Sequence, residues 1–263
     1  MPKINFTKMV ASGNDFVVIE NYKPGAITCK SLAKMICDRK YGAGADGLLV
    51  LGKSRVADAR MRIFNSDGSE AEMCGNGARC SVLFLGRSNS RLETKAGLID
   101  GRLIGGNVKI RLTDARNLKL DIPIKVNNRN LKVNSINTGV PHAVIFVEGL
   151  DEINVSQIGR AIRNHSKFVP CGTNVDFVEV LGENLIGIRT YERGVEDETL
   201  ACGTGSVASA LIFALKLGRA NKVNVATKSG EILKVYFDRI GNTFTNVWLE
   251  GKAKISYKGE YYV

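Results

Sequence analysis

Two cysteines stand in the same local setting. "AEMCGNGARC" places Cys74 ahead of Gly-Asn-Gly, and "TLACGTGS" places Cys202 ahead of Gly-Thr-Gly, 128 residues later. A helix-like apolar run follows each. A helix N terminus offers backbone N–H groups without intrahelical partners and about half a positive charge. Glycine lets the chain turn into the helix and lets a ligand come close. Such a mouth suits a carboxylate or a phosphate. A thiol in front of it feels the same field, which favours a thiolate relative to a free cysteine of pKa ~8.5. Either cysteine alone reads as well as a small core residue before a glycine-assisted helix start. Their repetition makes the pair a candidate site.

Two thiols on equivalent halves suggest a specific reaction. Inversion of a carbon centre by proton transfer needs a base on one face and an acid on the other. Two helix mouths aimed at one carboxylate would stabilise the negative charge that develops as the α-proton leaves. A closed, water-free cleft would protect the carbanion-like species. The chain has no glycine-rich nucleotide loop of Walker spacing, and no lysine is marked by context for a Schiff base. No Cys-x-x-Cys pair is present and the two histidines lie far from any cysteine cluster, so no metal site is expected.

The elements that must position these thiols are also written twice. "SGNDFVVIEN" (12–21) matches "TGVPHAVIFVE" (138–148), and "GADGLLVL" (44–51) matches "TNVDFVEVL" (173–181). "ARMRIFNSDG" (59–68) and "LIGIRTYERG" (185–194) each lead into a cysteine motif, and "ETKAG" (93–97) matches "ATKSG" (226–230). The pairs keep their order and nearly their offset, which is the signature of two homologous halves. Short Val/Ile-rich segments bounded by Gly, Asn and Asp predict strands. Residues 29–41 and 155–165 have the spacing of amphipathic helices. The runs after the cysteines carry one charge each, Arg79 and Lys216; a helix apolar nearly all round belongs in a core. Gly218 reads as the glycine that ends the second one.

The expected fold class is α+β: two pseudo-symmetric half-domains, each a mostly antiparallel sheet wrapped around a central buried helix, with the active site in the cleft between them. The N-terminal half is expected over 1–115, completed by the last strand at about 252–263, and the C-terminal half over 116–251.

The 263 residues, 44% hydrophobic, suffice for such cores. No apolar run approaches the ~20 residues needed to span a bilayer, and the N terminus lacks a signal-peptide layout. The expectation is a cytoplasmic protein with no membrane partner and reduced thiols. The net charge of +11 comes from dispersed residues with no continuous basic patch, so nucleic acid is not expected as a partner. Cys29, Cys37, Cys80 and Cys171 are assigned to packing, Cys80 inside the buried helix.

"FNSDGSEAEMCGNGARC" (64–80) and "YERGVEDETLACGTG" (191–205) strongly resemble the two signature regions of the diaminopimelate epimerase family. "GNDF" (13–16), "PHAV" (141–144) and "GTNVDFVEV" (172–180) extend the resemblance over essentially the whole chain. It implies a cofactor-independent isomerase of lysine and peptidoglycan-precursor biosynthesis that interconverts LL- and meso-diaminopimelate, a small-molecule amino-acid substrate, with a related racemase acting on another amino acid as the alternative. It implies that Cys74 and Cys202 exchange acid and base roles, and that backbone N–H groups of Gly75, Asn76, Gly203 and Thr204 hold the carboxylate. Asn65, Asn174, Glu192 and Arg193 map to the grip on the remote end, with Asn14 near the site, and His142 and Glu192 are implied to help manage the thiol protons. Read from the residues alone, His142 could be a loop histidine at a strand start, Glu192 and Arg193 a solvated turn, and Asn65 a cap in "NSDG". A homodimer is left open. Val140 stands where many members of the family have Asn, Gly47 where some have Gln, and "GVEDET" (194–199) is one residue longer than the common form; all three bear on recognition of the far end.

Overall fold

The structure is a computed structural model and describes residues 3–23, 25, 27–217 and 221–263. Gly218, expected to end the second buried helix, lies outside the described residues. The chain forms two compact units, one of residues 1–110 with 251–263 and the other of 111–250.

In the first unit the strands lie in the order Lys254–Tyr262, Lys3–Ala11, Asn14–Glu20, Gly47–Gly52, Ala59–Asn65, Asn89–Thr94, Gly97–Ile104 and Asn107–Arg111. Neighbours are antiparallel except at two places: Asn14–Glu20 beside Gly47–Gly52, and Ala59–Asn65 beside Asn89–Thr94. In the second unit the order is Arg116–Val126, Arg129–Asn137, Pro141–Phe146, Asn174–Gly182, Leu185–Glu192, Lys222–Thr227, Ile232–Ile240 and Thr243–Lys252. Its two parallel pairings fall at the equivalent third and fifth steps. The repeat read in the sequence is thus a repeat of topology, and the mostly antiparallel α+β architecture expected for each half is observed.

Each unit holds one helix on either face of its sheet. In the first, α1 (Cys29–Ile36) buries Cys29, Leu32, Ala33 and Ile36, with Thr28 capping it through Ser31 N–H. α2 (Gly75–Leu85) is buried from Asn76 through Val82 and packs against the six strands that lie between the two ends of the sheet order. In the second, α3 (Val155–Arg163) is the amphipathic outer helix, capped by Asn154, and α4 (Gly203–Leu217) is the inner one. Every residue of α4 from Gly205 through Ala214 is buried, as its nearly uncharged sequence requires. With helices on both faces, strands such as "GLLVL" lose the usual alternation and are buried throughout. Leu48 and Val50 join the α1 cluster, while Leu49 and Ile63 meet α2 at Gly77.

Because α4 is held by packing on all sides, truncation inside it leaves a cavity that its surroundings cannot close. Leu211→Ala should destabilise the protein by about 2–5 kcal/mol, whereas Thr28→Ala on the outer α1 should cost about 1 kcal/mol. Urea titration of the two variants measures the difference.

Candidate active site

The segments leading to the two cysteines are fixed in the same way. A two-residue strand, Glu70–Ala71, precedes Cys74, and a three-residue strand, Asp197–Thr199, precedes Cys202. In the first, Arg62 grips the Glu70 carboxylate with Nε and Nη2 at 2.7 and 3.1 Å, and Lys95 adds a contact at 2.8 Å. In the second, Arg189 grips Glu198 at 2.7 and 2.9 Å and Lys228 adds 2.6 Å. The paired segments of the repeat, including the lysines of "ETKAG" and "ATKSG", supply these clamps. The Arg62 hydrogen bonds, helped by Lys95, lower the Glu70 pKa to about 2 against the cost of burial.

Cys74 is the N-cap of α2, and its sulfur accepts from Gly77 N–H at 3.5 Å. Its backbone carbonyl takes the first helical bond, from Ala78 N–H at 2.8 Å. Gly75 and Asn76 occupy the first turn, where helical N–H groups have no intrahelical acceptor. Gly77 is needed for close packing: a Cβ there would sit 3.0 Å from Leu49 Cδ2 and 3.4 Å from Ile63 Cδ1. Asn14 Oδ1 lies 3.9 Å from the Cys74 sulfur, and Asn14 Nδ2 donates to Asp46 at 2.8 Å. Asp46 and Asp15 are bridged by Arg39 at 2.7 and 3.0 Å, and Lys8 pairs with Asp15 at 2.7 Å. Burial would raise the Asp15 carboxyl, but the Arg39 and Lys8 hydrogen bonds outweigh it and hold it far below the usual carboxylate range.

The one charge of α2, Arg79, is fully buried. Its Nη2 donates to Ser12 Oγ at 2.6 Å and to Asn76 Oδ1 at 2.8 Å, tying the helix start to the turn before Asn14. The Asn76 side chain therefore points inward, and its backbone is what the first turn presents. Asn65 ends its strand exposed and donates to Ser69 Oγ at 2.9 Å within the "NSDG" turn.

Cys202 precedes α4 and is 7% exposed. Ser206 N–H makes the first helical bond to its carbonyl at 2.9 Å. Its sulfur lies 3.4 Å from Thr204 Oγ1, which lies 3.0 Å from His142 Nε2. His142 Nδ1 is 2.7 Å from Asp176 Oδ2, and Thr190 donates to Asp176 Oδ1 at 2.8 Å. His142 and Asp176 are both fully buried, and His142 lies within the strand Pro141–Phe146 and not in a loop. Asn174 Nδ2 lies 3.3 Å from His142 Nε2, and Asn174 Oδ1 accepts from Arg193 N–H at 2.8 Å. The Arg193 guanidinium donates to the Cys171 carbonyl at 3.0 Å. Gly205 is the counterpart of Gly77, and a methyl group there would run into the Asp176 carboxylate.

One electrostatic expectation is reversed. The helix-mouth field was expected to favour a thiolate, yet burial pushes the Cys202 thiol well above its usual range. The Glu192 and Asp176 carboxylates push it further, and the Thr204 hydroxyl and Gly205 N–H oppose them without prevailing. Desolvation of a small anion exceeds what a few N–H dipoles return. Burial likewise raises the Glu192 carboxyl.

The structure thus gathers Cys74, Asn14, Gly75 and Asn76 at one helix start, and Cys202, His142, Asn174, Gly203 and Thr204 at the other, with Glu192 in electrostatic reach of Cys202. Asp176 was missed in the sequence, where it is one acid in a strand-like run; Asp15 and Asp46 lie inside quoted motif and repeat segments but drew no role of their own, and Arg39 carried no motif. Among the described residues, no group of three or more His, Cys, Asp or Glu is arranged to hold a metal ion, and no helix is long and apolar enough to cross a membrane.

The family model for diaminopimelate epimerase matches residues 6–126 and 134–255, which takes in both repeats. The chain belongs to the diaminopimelate epimerase family. Curated diaminopimelate epimerases similar to this family member include that of Aquifex aeolicus, 40% identical with 97% of each chain covered. That of Archaeoglobus fulgidus is 43% identical over 89% of each chain. Among solved structures, a Bacillus anthracis phenazine biosynthesis protein of the PhzF family superposes with a TM-score of 0.75 at 18% identity over the whole of both chains. A probable proline racemase from Agrobacterium radiobacter gives 0.72 at 16%, covering 99% of this chain and 92% of its own. These two show a shared fold.

The clamp on Glu70 makes an acid-stability prediction for this family member. A carboxyl whose pKa is lower folded than unfolded stabilises the fold above its unfolded value, and that contribution is lost as pH falls toward the folded value. The loss should therefore run from about pH 4.5 down to about pH 2. Glu70→Gln should lower the urea midpoint at pH 7 and flatten its decline between pH 5 and pH 3.

Proposed function

We propose that the chain interconverts LL- and meso-diaminopimelate by proton transfer between the α-carbon and two thiols, Cys74 and Cys202. The observation that carries this reading is the end-to-end match to the diaminopimelate epimerase family combined with a cysteine at the start of a buried helix in each unit. Inversion needs one acid and one base on opposite faces of the carbon, and each unit supplies one candidate.

In this reading the substrate carboxylate takes first-turn N–H groups of Gly75, Asn76, Gly203 and Thr204. Those groups stabilise the charge that moves onto the carboxylate when the α-proton leaves. The buried Cys202 enters the reaction carrying its proton and serves as the acid when Cys74 is the base; the roles exchange in the reverse direction. Asn65, Asn174, Glu192 and Arg193 hold the distal amino acid, with Asn14 beside Cys74. Arg can grip a carboxylate with two parallel bonds, and Asn and Glu can accept from an ammonium. The reading carries with it a reducing, cytoplasmic setting, since both thiols must stay free to act.

The test is turnover of LL-diaminopimelate in deuterated buffer, followed by the appearance of the meso isomer and of deuterium at the α-carbon. Cys74→Ala and Cys202→Ala should each lower kcat by at least ~10²-fold, the lower range of a positioned acid or base. Inversion that survives either substitution at the unsubstituted rate would overturn the two-thiol mechanism, and no conversion of diaminopimelate by the unsubstituted chain would overturn the substrate.

A further inference from the structure

The proposed reaction asks something of Cys202 that its surroundings resist. In one direction it must give a proton, and in the other it must act as a thiolate. Its sulfur is buried and lies within electrostatic reach of two carboxylates, Glu192 from the strand Leu185–Glu192 and Asp176 from the strand Asn174–Gly182. The hydrogen bonds around it contain a route for that proton.

The tautomer of His142 follows from its partners. Arg193 N–H donates to Asn174 Oδ1, which fixes that amide so that Nδ2, a donor only, faces His142 Nε2. Nε2 must then present its lone pair, and Nδ1 carries the proton, pointed at Asp176 Oδ2 2.7 Å away. Thr204, 3.0 Å from the same Nε2, is a second donor to it. Its oxygen is thereby left to accept from the Cys202 thiol at 3.4 Å. Asp176 itself is held by Thr190 on its other oxygen and by the absence of a side chain at Gly205. Hydrogen bonds therefore run without a gap from the sulfur through Thr204 and His142 to a buried carboxylate.

We propose that Asp176 is a positioning residue that makes His142 the proton store of Cys202, with the Thr204 hydroxyl as the relay between them. The thiol proton passes to Thr204 Oγ1 while the Thr204 hydroxyl proton passes to His142 Nε2. The S–H bond breaks, an N–H bond forms, and the neutral pair Cys202 and His142 becomes a thiolate and an imidazolium. Asp176 stays ionised and neutralises the imidazolium through the Nδ1–H bond, and the site's net charge is unchanged. Reversal of the same two transfers reprotonates Cys202 for its acid role. This rests on the reading of Cys202 as a proton carrier and adds what sets its protonation state.

The sign of one measurement separates this from a merely structural or electrostatic role. If Asp176 acted only as a nearby negative charge, Asp176→Asn would make Cys202 more acidic and faster to alkylate. If Asp176 supports the imidazolium, the same change leaves the thiolate without its partner and slows alkylation. Iodoacetamide modification of Cys202 should be followed at pH 7.5 by mass spectrometry of its peptide, in the substrate-free protein, with circular dichroism checking each variant's fold. Asp176→Asn and Thr204→Val should each slow modification roughly tenfold, as a one-unit rise in thiol pKa would, and Thr204→Ser should regain the rate that Thr204→Val loses. Unchanged or faster modification in a folded Asp176→Asn or Thr204→Val protein would overturn the relay. The readout needs no turnover, so slowed modification in a protein inactive on diaminopimelate would still support the relay while the proposed substrate fell.

Discussion

The arrangement depends on one constraint, the burial of a nearly uncharged helix inside each sheet. An apolar helix can bury its flanks against strands, but its first N–H groups cannot be satisfied from within. They must open onto polar partners, a ligand or water. Burying α2 and α4 therefore creates a polar mouth at the place where each cysteine stands. The clamps on Glu70 and Glu198 act on this constraint directly. Each fixes the short strand that feeds the chain into the helix, and each carboxylate is held from two sides by Arg and Lys. In such a partly buried three-group network the ion pairs define geometry as well as contributing energy.

The same frame carries different chemistry in the two units. Around Cys74, the nearby polar side chain is an amide, and behind it two carboxylates are answered by Arg39 and Lys8. Around Cys202, the carboxylate of Asp176 is answered by an imidazole and a hydroxyl. The first arrangement is an amide backed by paired carboxylates and cations, which holds position. The second contains a histidine, whose ordinary pKa lies between that of a carboxylate and that of a thiol, so it can also hold a proton. Backbone symmetry thus coexists with an asymmetry of protonation.

Much of this was legible in the sequence because it is local or repeated. The outer helices were expected over 29–41 and 155–165 and are observed over Cys29–Ile36 and Val155–Arg163. α1 ends early because Asp38 accepts from Lys40 and Tyr41 N–H and pulls the chain into a turn. The strands and buried helices were announced by composition. What was not legible depends on pairing across distance. Asp176 alternates with apolar residues as any strand residue would, and its partner His142 lies 34 positions away on a parallel neighbour. Arg79 looked like an exception in an apolar run, and its role emerges only when the Ser12 turn, 67 positions away, is brought beneath it. The state of Cys202 was misjudged because the helix field can be read from a motif, whereas desolvation is a property of everything packed around it.

This difference bears on why a duplicated scaffold suits inversion of a carbon centre. Two identical halves would present two equivalent thiols, and nothing intrinsic would decide which one holds the proton when substrate arrives. A two-base reaction starts from one thiol and one thiolate, so equivalence leaves part of the protein with both thiols charged or both neutral, and neither state can react. Placing one sulfur where burial and two carboxylates oppose its charge biases that distribution before binding. The bias would obstruct the reverse direction if the proton had nowhere to go. A histidine held in one tautomer by Asn174 and Asp176 supplies a destination a few ångströms away. The unit can then be biased at rest and still reversible in use, which a helix mouth and a lone thiol could not achieve together.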